Sequence, residues 1–131
     1  MSEVAQFEQQ LSDAKFLVER RDMALKLSGN REFKKLILQE YLVDEAARLI
    51  GGSGDPNLNR IQQEDMVQMA KACGHLKRYL SVIVTMGNTA ANDIPEIEAE
   101  LVNVRAEEDV DNSPSSNNVV SMADKSIGGL D

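Results

Sequence analysis

Tryptophan is absent from this sequence, and cysteine and histidine occur once each, as Cys73 and His75. Aromatic residues make up 4% of the 131 positions. A single cysteine excludes an intrachain disulfide framework and any zinc site built on several thiolates. Uninterrupted apolar runs stop at three residues, as in Val82-Ile83-Val84, far short of the ~20 that a membrane-spanning helix needs. The first twenty residues lack both a basic start and an apolar block, so no secretory signal is expected. Basic residues are also scarce, 14 against 22 acids. Direct nucleic-acid binding is not expected, because phosphate neutralisation needs surplus Lys and Arg. What remains is the composition of a soluble, helical protein, intracellular or internal to a virion.

The net charge of −8 is unevenly placed. Residues 1–92 hold twelve acids and twelve bases, whereas residues 93–131 hold ten acids with only Arg105 and Lys125 as bases. Such asymmetry marks a tail or a partner-facing segment. An acidic tail also keeps an assembled protein soluble.

Apolar spacing predicts helices throughout. Over residues 2–28, Val4, Phe7, Leu11, Ala14, Val18 and Leu25 recur at three- and four-residue steps, with Arg21 interrupting the stripe. Phe16, Leu17, Met23 and Leu27 form a second apolar flank, which predicts two neighbours for this helix. Ser28-Gly29-Asn30 ends it, with a left-handed Gly29 expected. Asn30 then caps a second helix over residues 31–50. Its apolar face is broad, including Phe33, Leu36, Ile37, Leu38, Tyr41, Leu42, Val43, Ala46, Leu49 and Ile50, and that breadth predicts contact with more than one partner.

Gly51-Gly52-Ser53-Gly54 breaks the chain, and Asp55-Pro56 is expected to start a long third helix. The glycines do not form a phosphate cradle, since no Lys-Ser or Lys-Thr follows and no strand precedes. In the third helix Met66, Met69, Cys73, Leu76, Leu80, Ile83, Gly87, Ala90, Ile94, Ile97, Leu101 and Val104 follow in alternating steps of three and four. That is a coiled-coil seam in which only Gly87 lacks a side chain. The β-branched run at residues 81–85 shares its phase, so it is read as helical despite its strand preference. Pro95 predicts a kink or restart near Ala91–Asp93, followed by helix to about Glu108 along the same seam.

From Asp109 the pattern stops. Residues 111–118 are polar and rich in turn formers, and cannot bury enough surface to order themselves. Val119, Val120, Ile127 and Leu130 restore sparse apolar content, as a docking peptide or a frayed terminus does.

Candidate chemistry is thin. Cys73 and His75 are two apart, so on a helix they point about 200° away from each other and share neither a ligand nor a proton. Glu96 and Glu100 lie at i, i+4, but no Glu-x-x-His accompanies them, which excludes a di-iron bundle. No Gly-x-Ser-x-Gly elbow occurs. No catalytic residue, metal or cofactor is therefore expected, and the chain is read as a non-enzyme. Arg31 with Lys34 and Lys35, and Lys71 with Lys77 and Arg78, form two basic patches. They read as mixed solvated faces, or as contacts for an acidic segment of a neighbouring copy.

The stretch Asn30-Arg31-Glu32-Phe33-Lys34-Lys35-Leu36-Ile37, running on into Tyr41-Leu42-Val43-Asp44-Glu45-Ala46-Ala47-Arg48-Leu49, resembles small helical proteins of tailed bacteriophages. Leu76-Lys77-Arg78-Tyr79-Leu80 fits the same impression, and the resemblance covers residues 10–108. It implies a virion or assembly role, with other phage structural proteins as partners and a location in the virion or in host cytoplasm during assembly. It carries over no catalytic residue.

The expected architecture is all-α. An N-terminal helical hairpin packs on a long kinked helix in a domain over residues 1–108, followed by a flexible acidic tail over 109–131. The expected function is structural or assembly work by helix–helix packing in a homo-oligomer, with no membrane partner. The interaction residues are the seam from Met66 to Val104, and Val119, Val120, Ile127 and Leu130 in the tail. An alternative is an acidic inhibitor that imitates phosphate spacing before a host nucleic-acid enzyme.

Overall fold

The computed structural model describes residues 2–112. They form three helices: α1 (Glu3–Ser28), α2 (residues 31–52) and α3 (Arg60–Asn112), with no strand among the described residues. The fold is all-α, a helical pair followed by one long helix.

The termini of α1 follow from local chemistry. Ser2 accepts the Ala5 amide on Oγ at 3.0 Å, satisfying one of the orphan donors of the first turn. At the other end the Gly29 amide donates to the carbonyls of Leu25 and Lys26, and that of Asn30 donates to Leu27. The left-handed Gly29 expected from sequence does not occur, since Gly29 has no positive φ and one i→i−4 and two i→i−3 hydrogen bonds close the turn. Asn30 caps α2, its Oδ1 accepting from the Phe33 amide at 2.8 Å.

Sequence periodicity predicts an ordinary α-helix for α2, and there the structure differs. After one α turn (Arg31–Phe33), the backbone is π-helical over Lys34–Glu45 and returns to α over Ala46–Gly52. Side chains report the wider turn: Lys35 Nζ reaches Glu40 Oε2 at 2.8 Å and Gln39 Nε2 reaches Asp44 Oδ1 at 3.0 Å, both five residues apart. The half-buried positions Phe33, Ile37, Leu38, Tyr41, Leu42 and Ala46 are spaced by between four and five residues. The wider turn therefore gathers apolar positions onto one face that an α-helix would spread. Leu36, Val43 and Ile50 remain half or more exposed.

Asp55-Pro56 does not start α3. Asp55 Oδ1 accepts from the Asn57 amide at 2.9 Å, an Asx turn within the loop. The helix starts at Arg60, where Asn59 Oδ1 accepts from the Gln62 amide at 2.8 Å and Gln62 Oε1 accepts from the Asn59 amide at 3.0 Å. This reciprocal capping box satisfies two donors, whereas Asp55 would satisfy one. The expected restart at Asn92–Asp93 does not occur either. The α3 helix is unbroken through Pro95 and ends at Asn112, past the end expected near Glu108. One lost hydrogen bond, at the Ala91 carbonyl, is outweighed by continuous pairing on both sides.

The chain divides into two compact units, and the division falls between Ala91 and Asn92. The larger unit comprises residues 14–91. Its core joins Leu49, Ala70 and Cys73, the last 1% exposed, with Tyr41, Leu42, Ala46 and Met66 packed around them. Ala14, Ala24, Gly87 and Ala90 are also buried there. Small residues thus line much of the interior and let helices approach closely. The tightest approach is at Gly87, where an added Cβ would fall on the Cβ of Arg21. The Arg21 stem lies over Gly87 and its guanidinium donates to Asn88 Oδ1 at 3.2 Å and to Asp22 Oδ1. In the smaller unit, residues 2–13 and 92–112 among those described, Leu101 and Val104 are buried while Val4, Phe7 and Leu11 are half-buried. Arg105 Nη2 pairs with Glu8 Oε2 at 2.8 Å.

Two glycines of α3 separate packing from propensity. Gly74 faces open space, so Gly74→Ala should stabilise by about 0.5–1 kcal/mol through helix propensity. Gly87→Ala should instead destabilise, by about 1–3 kcal/mol, because α1 must move to admit the methyl. Urea denaturation of both variants measures the opposite signs.

Candidate functional site

The predicted seam is placed unevenly. Cys73, Leu101 and Val104 are buried, and Met66, Leu76, Leu80, Ile83, Ile94 and Ile97 are half-buried. Met69 is the exception at 55% exposed, and Ala70 takes the inward position beside it. The step into the core at this level is from Met66 to Ala70, because α2 packs there with its broad π-helical face. Val119, Val120, Ile127 and Leu130 lie outside the described residues.

Large apolar side chains are left exposed on all three helices of the larger unit, and two flanks of them lie on α1 and α3. On α1 the flank is Phe16 (59%), Met23 (64%) and Leu27 (45%), with Arg20 in line between Phe16 and Met23. These are residues of the second flank that sequence spacing assigned to a second neighbour. Leu25, expected on the inward stripe, is also 50% exposed, and Ala24 beside it is the buried residue. Among the described residues, the buried positions of α1 are Ala14, on the expected inward stripe, and Ala24, beside it. On α3 the flank is Tyr79, Val82 and Met86. Arg20 Nη2 donates to Tyr79 Oη at 3.2 Å and joins the two flanks at one rim. Sequence reasoning missed the α3 flank, since its residues alternate with seam positions and only the Arg20–Tyr79 contact reveals the shared side. A shallow depression lined by Met23, Lys26, Leu27 and Asn30 lies on the α1 flank.

A second surface groove is lined by Ser53, Arg60, Gln63, Glu64, Val67 and Gln68, with Arg60 paired to Glu64 at 3.4 Å. The basic residues Arg31, Lys34, Lys35, Lys71, Lys77 and Arg78 are exposed. Of these, Lys35 is committed to Glu40, whose hydrogen bond and charge raise its pKa.

On α2 and at its contact with α3, neighbouring groups shift one another's titration. Arg48 grips Glu45 through Nε and Nη2, both at 2.7 Å, and holds that carboxyl below its ordinary range. The Tyr41 phenol is raised above its ordinary pKa by its hydrogen bond to Cys73, with burial and the Glu45 carboxylate adding to the effect. His75 is exposed while Cys73 is buried, so they face apart. No group of three or more His, Cys, Asp or Glu among the described residues could hold a metal ion. No described helix is long and apolar enough to cross a membrane.

Comparison with protein-family models, with curated protein sequences and with solved structures finds no match to this chain.

The Glu45–Arg48 pair carries a pH dependence. A carboxyl held low in the folded state stabilises at neutral pH, and that contribution is lost as pH falls from about 4.5 through the lowered value. Thermal melts between neutral and acidic pH should show a shallower acid decline in Glu45→Gln than in the native chain. The effect should be small, because both side chains are solvated.

Proposed function

We propose that this chain is a non-enzymatic structural or assembly protein that works by packing its helices against other protein, in a tailed-phage particle. The observation that carries the reading is the pair of exposed apolar flanks, Phe16, Met23 and Leu27 on α1 with Tyr79, Val82 and Met86 on α3. Large apolar side chains held in water on a small domain favour an interaction site, because leaving them there forgoes about 25 cal/mol per Å². The resemblance of residues 30–49 to small phage proteins supplies the setting. Self-association and contact with other structural proteins both follow from such a surface. Quantitative mass spectrometry of purified particles and assembly intermediates tests the role. The chain should be present at a fixed copy number, and its absence from both defeats the reading.

A second reading has its own support. An inhibitor that imitates phosphate spacing needs acids on a folded surface, and α3 carries Asp93, Glu96, Glu98, Glu100 and Glu107 exposed along its last third. Truncation after Asp109 separates the two readings. A mimic should keep its inhibition of a nucleic-acid enzyme, whereas a protein that docks through its tail should lose incorporation into particles.

A further inference from the structure

The α1 flank specifies its own occupant. Phe16, Arg20, Met23 and Leu27 follow at steps of four, three and four residues, which is the spacing of a coiled-coil seam. The depression beside them is walled by Met23, Lys26, Leu27 and Asn30. Met23, Lys26 and Leu27 stand at i, i+3 and i+4 on the last turns of α1, and Asn30, beyond the helix end at Ser28, closes the fourth side of a hole open to one side chain. Phe16, 59% exposed on the same stripe, is a side chain of the right kind to fill it.

We propose that the chain forms a homodimer through antiparallel pairing of α1 with α1 of a second copy, Phe16 of each seating in the depression of the other. This rests on the self-association reading above and adds its surface, orientation and register. With Phe16 level with Leu27 of the second copy, the aliphatic stem of Arg20 lies against Met23. Its guanidinium is already drawn aside to Tyr79. Twofold symmetry repeats both contacts, so one patch serves both partners.

Charge agrees with this register. Glu19 and Lys26 are exposed on the border of the stripe, and neither forms an ion pair among the described residues. Antiparallel pairing in this register brings Glu19 of each copy within two residues, about 3 Å of helix rise, of the level of Lys26 of the other, giving two complementary pairs across the seam. A parallel arrangement sets Phe16 beside Phe16, away from the depression, and holds Glu19 and Lys26 at different heights. Only the antiparallel arrangement uses the hole and both charges.

Sedimentation equilibrium on the full chain over a concentration series tests the proposal, with Glu19→Lys, Lys26→Glu and the double exchange as variants. Circular dichroism checks that each remains helical, which the exposure of both side chains favours. The native chain should dimerise. Each single reversal creates two like-charge contacts and should raise the dissociation constant about tenfold. The double exchange restores opposite charges and should return it to within about threefold of native. A native chain that stays monomeric at every concentration overturns the proposal. An oligomer indifferent to all three variants also overturns it, while leaving self-assembly through another surface standing. Recovery in the double variant alone supports antiparallel α1 pairing.

Discussion

The distance between α1 and α3 in the larger unit is set by one contact, the Arg21 stem lying on Gly87. Each residue looks like a fault in its own helix, since Arg21 interrupts an apolar stripe and Gly87 leaves a gap in a seam. Brought together they are complementary: the missing side chain makes room for a long one. The methylenes of Arg21 stay dry while its guanidinium reaches Asn88 and Asp22 at the edge. The flanking interior is correspondingly built of Ala14, Ala24 and Ala90. Helices this close have little room for large side chains between them, so much of the apolar content of α1 is displaced to its outer flank. The exposed Phe16, Met23 and Leu27 are in that sense a result of the Arg21–Gly87 contact.

Much of this was legible in the sequence, and the parts that were not have physical causes. The ends of α1 and the Asn30 cap follow from local hydrogen bonding, which sequence spacing reads well. From Cys73 to Val104 the seam positions predicted from the alternating steps of three and four are buried or half-buried. The π-helical turn of α2 was not legible, as a period between four and five shares its positions with the broad α face that the same residues suggest. Pairs five apart, Lys35 with Glu40 and Gln39 with Asp44, are the signal that sequence does hold. The start of α3 was misplaced because Asp55 and Asn59 are both competent caps, and only Gln62 reciprocating to Asn59 decides between them. Of the exposed apolar rim, the α1 half was visible as a surplus stripe. The α3 half required the hydrogen bond from Arg20 to Tyr79.

Charge and hydrophobicity are divided along the chain in a way that suits assembly. Residues 14–91 contain both apolar flanks and twelve bases against nine acids, a small surplus of positive charge. Exposed acids accumulate on α3 beyond Ala91, where like charges on separate copies repel. Attraction in one part and repulsion in another is how a small protein associates by one surface without associating by all of them.

Cys73 has a consequence of a different sort. It is the single thiol of the chain, 1% exposed, and lies between Leu49 and Ala70 with Tyr41 above it. A thiol so enclosed reacts with a soluble reagent only when α2 and α3 part, so its modification rate records how often the interior opens. Under reagent conditions where reclosing outpaces modification, that rate gives the free energy of opening at one known point. The protein thus contains a clock for its own breathing, wound by burial and read without adding a probe.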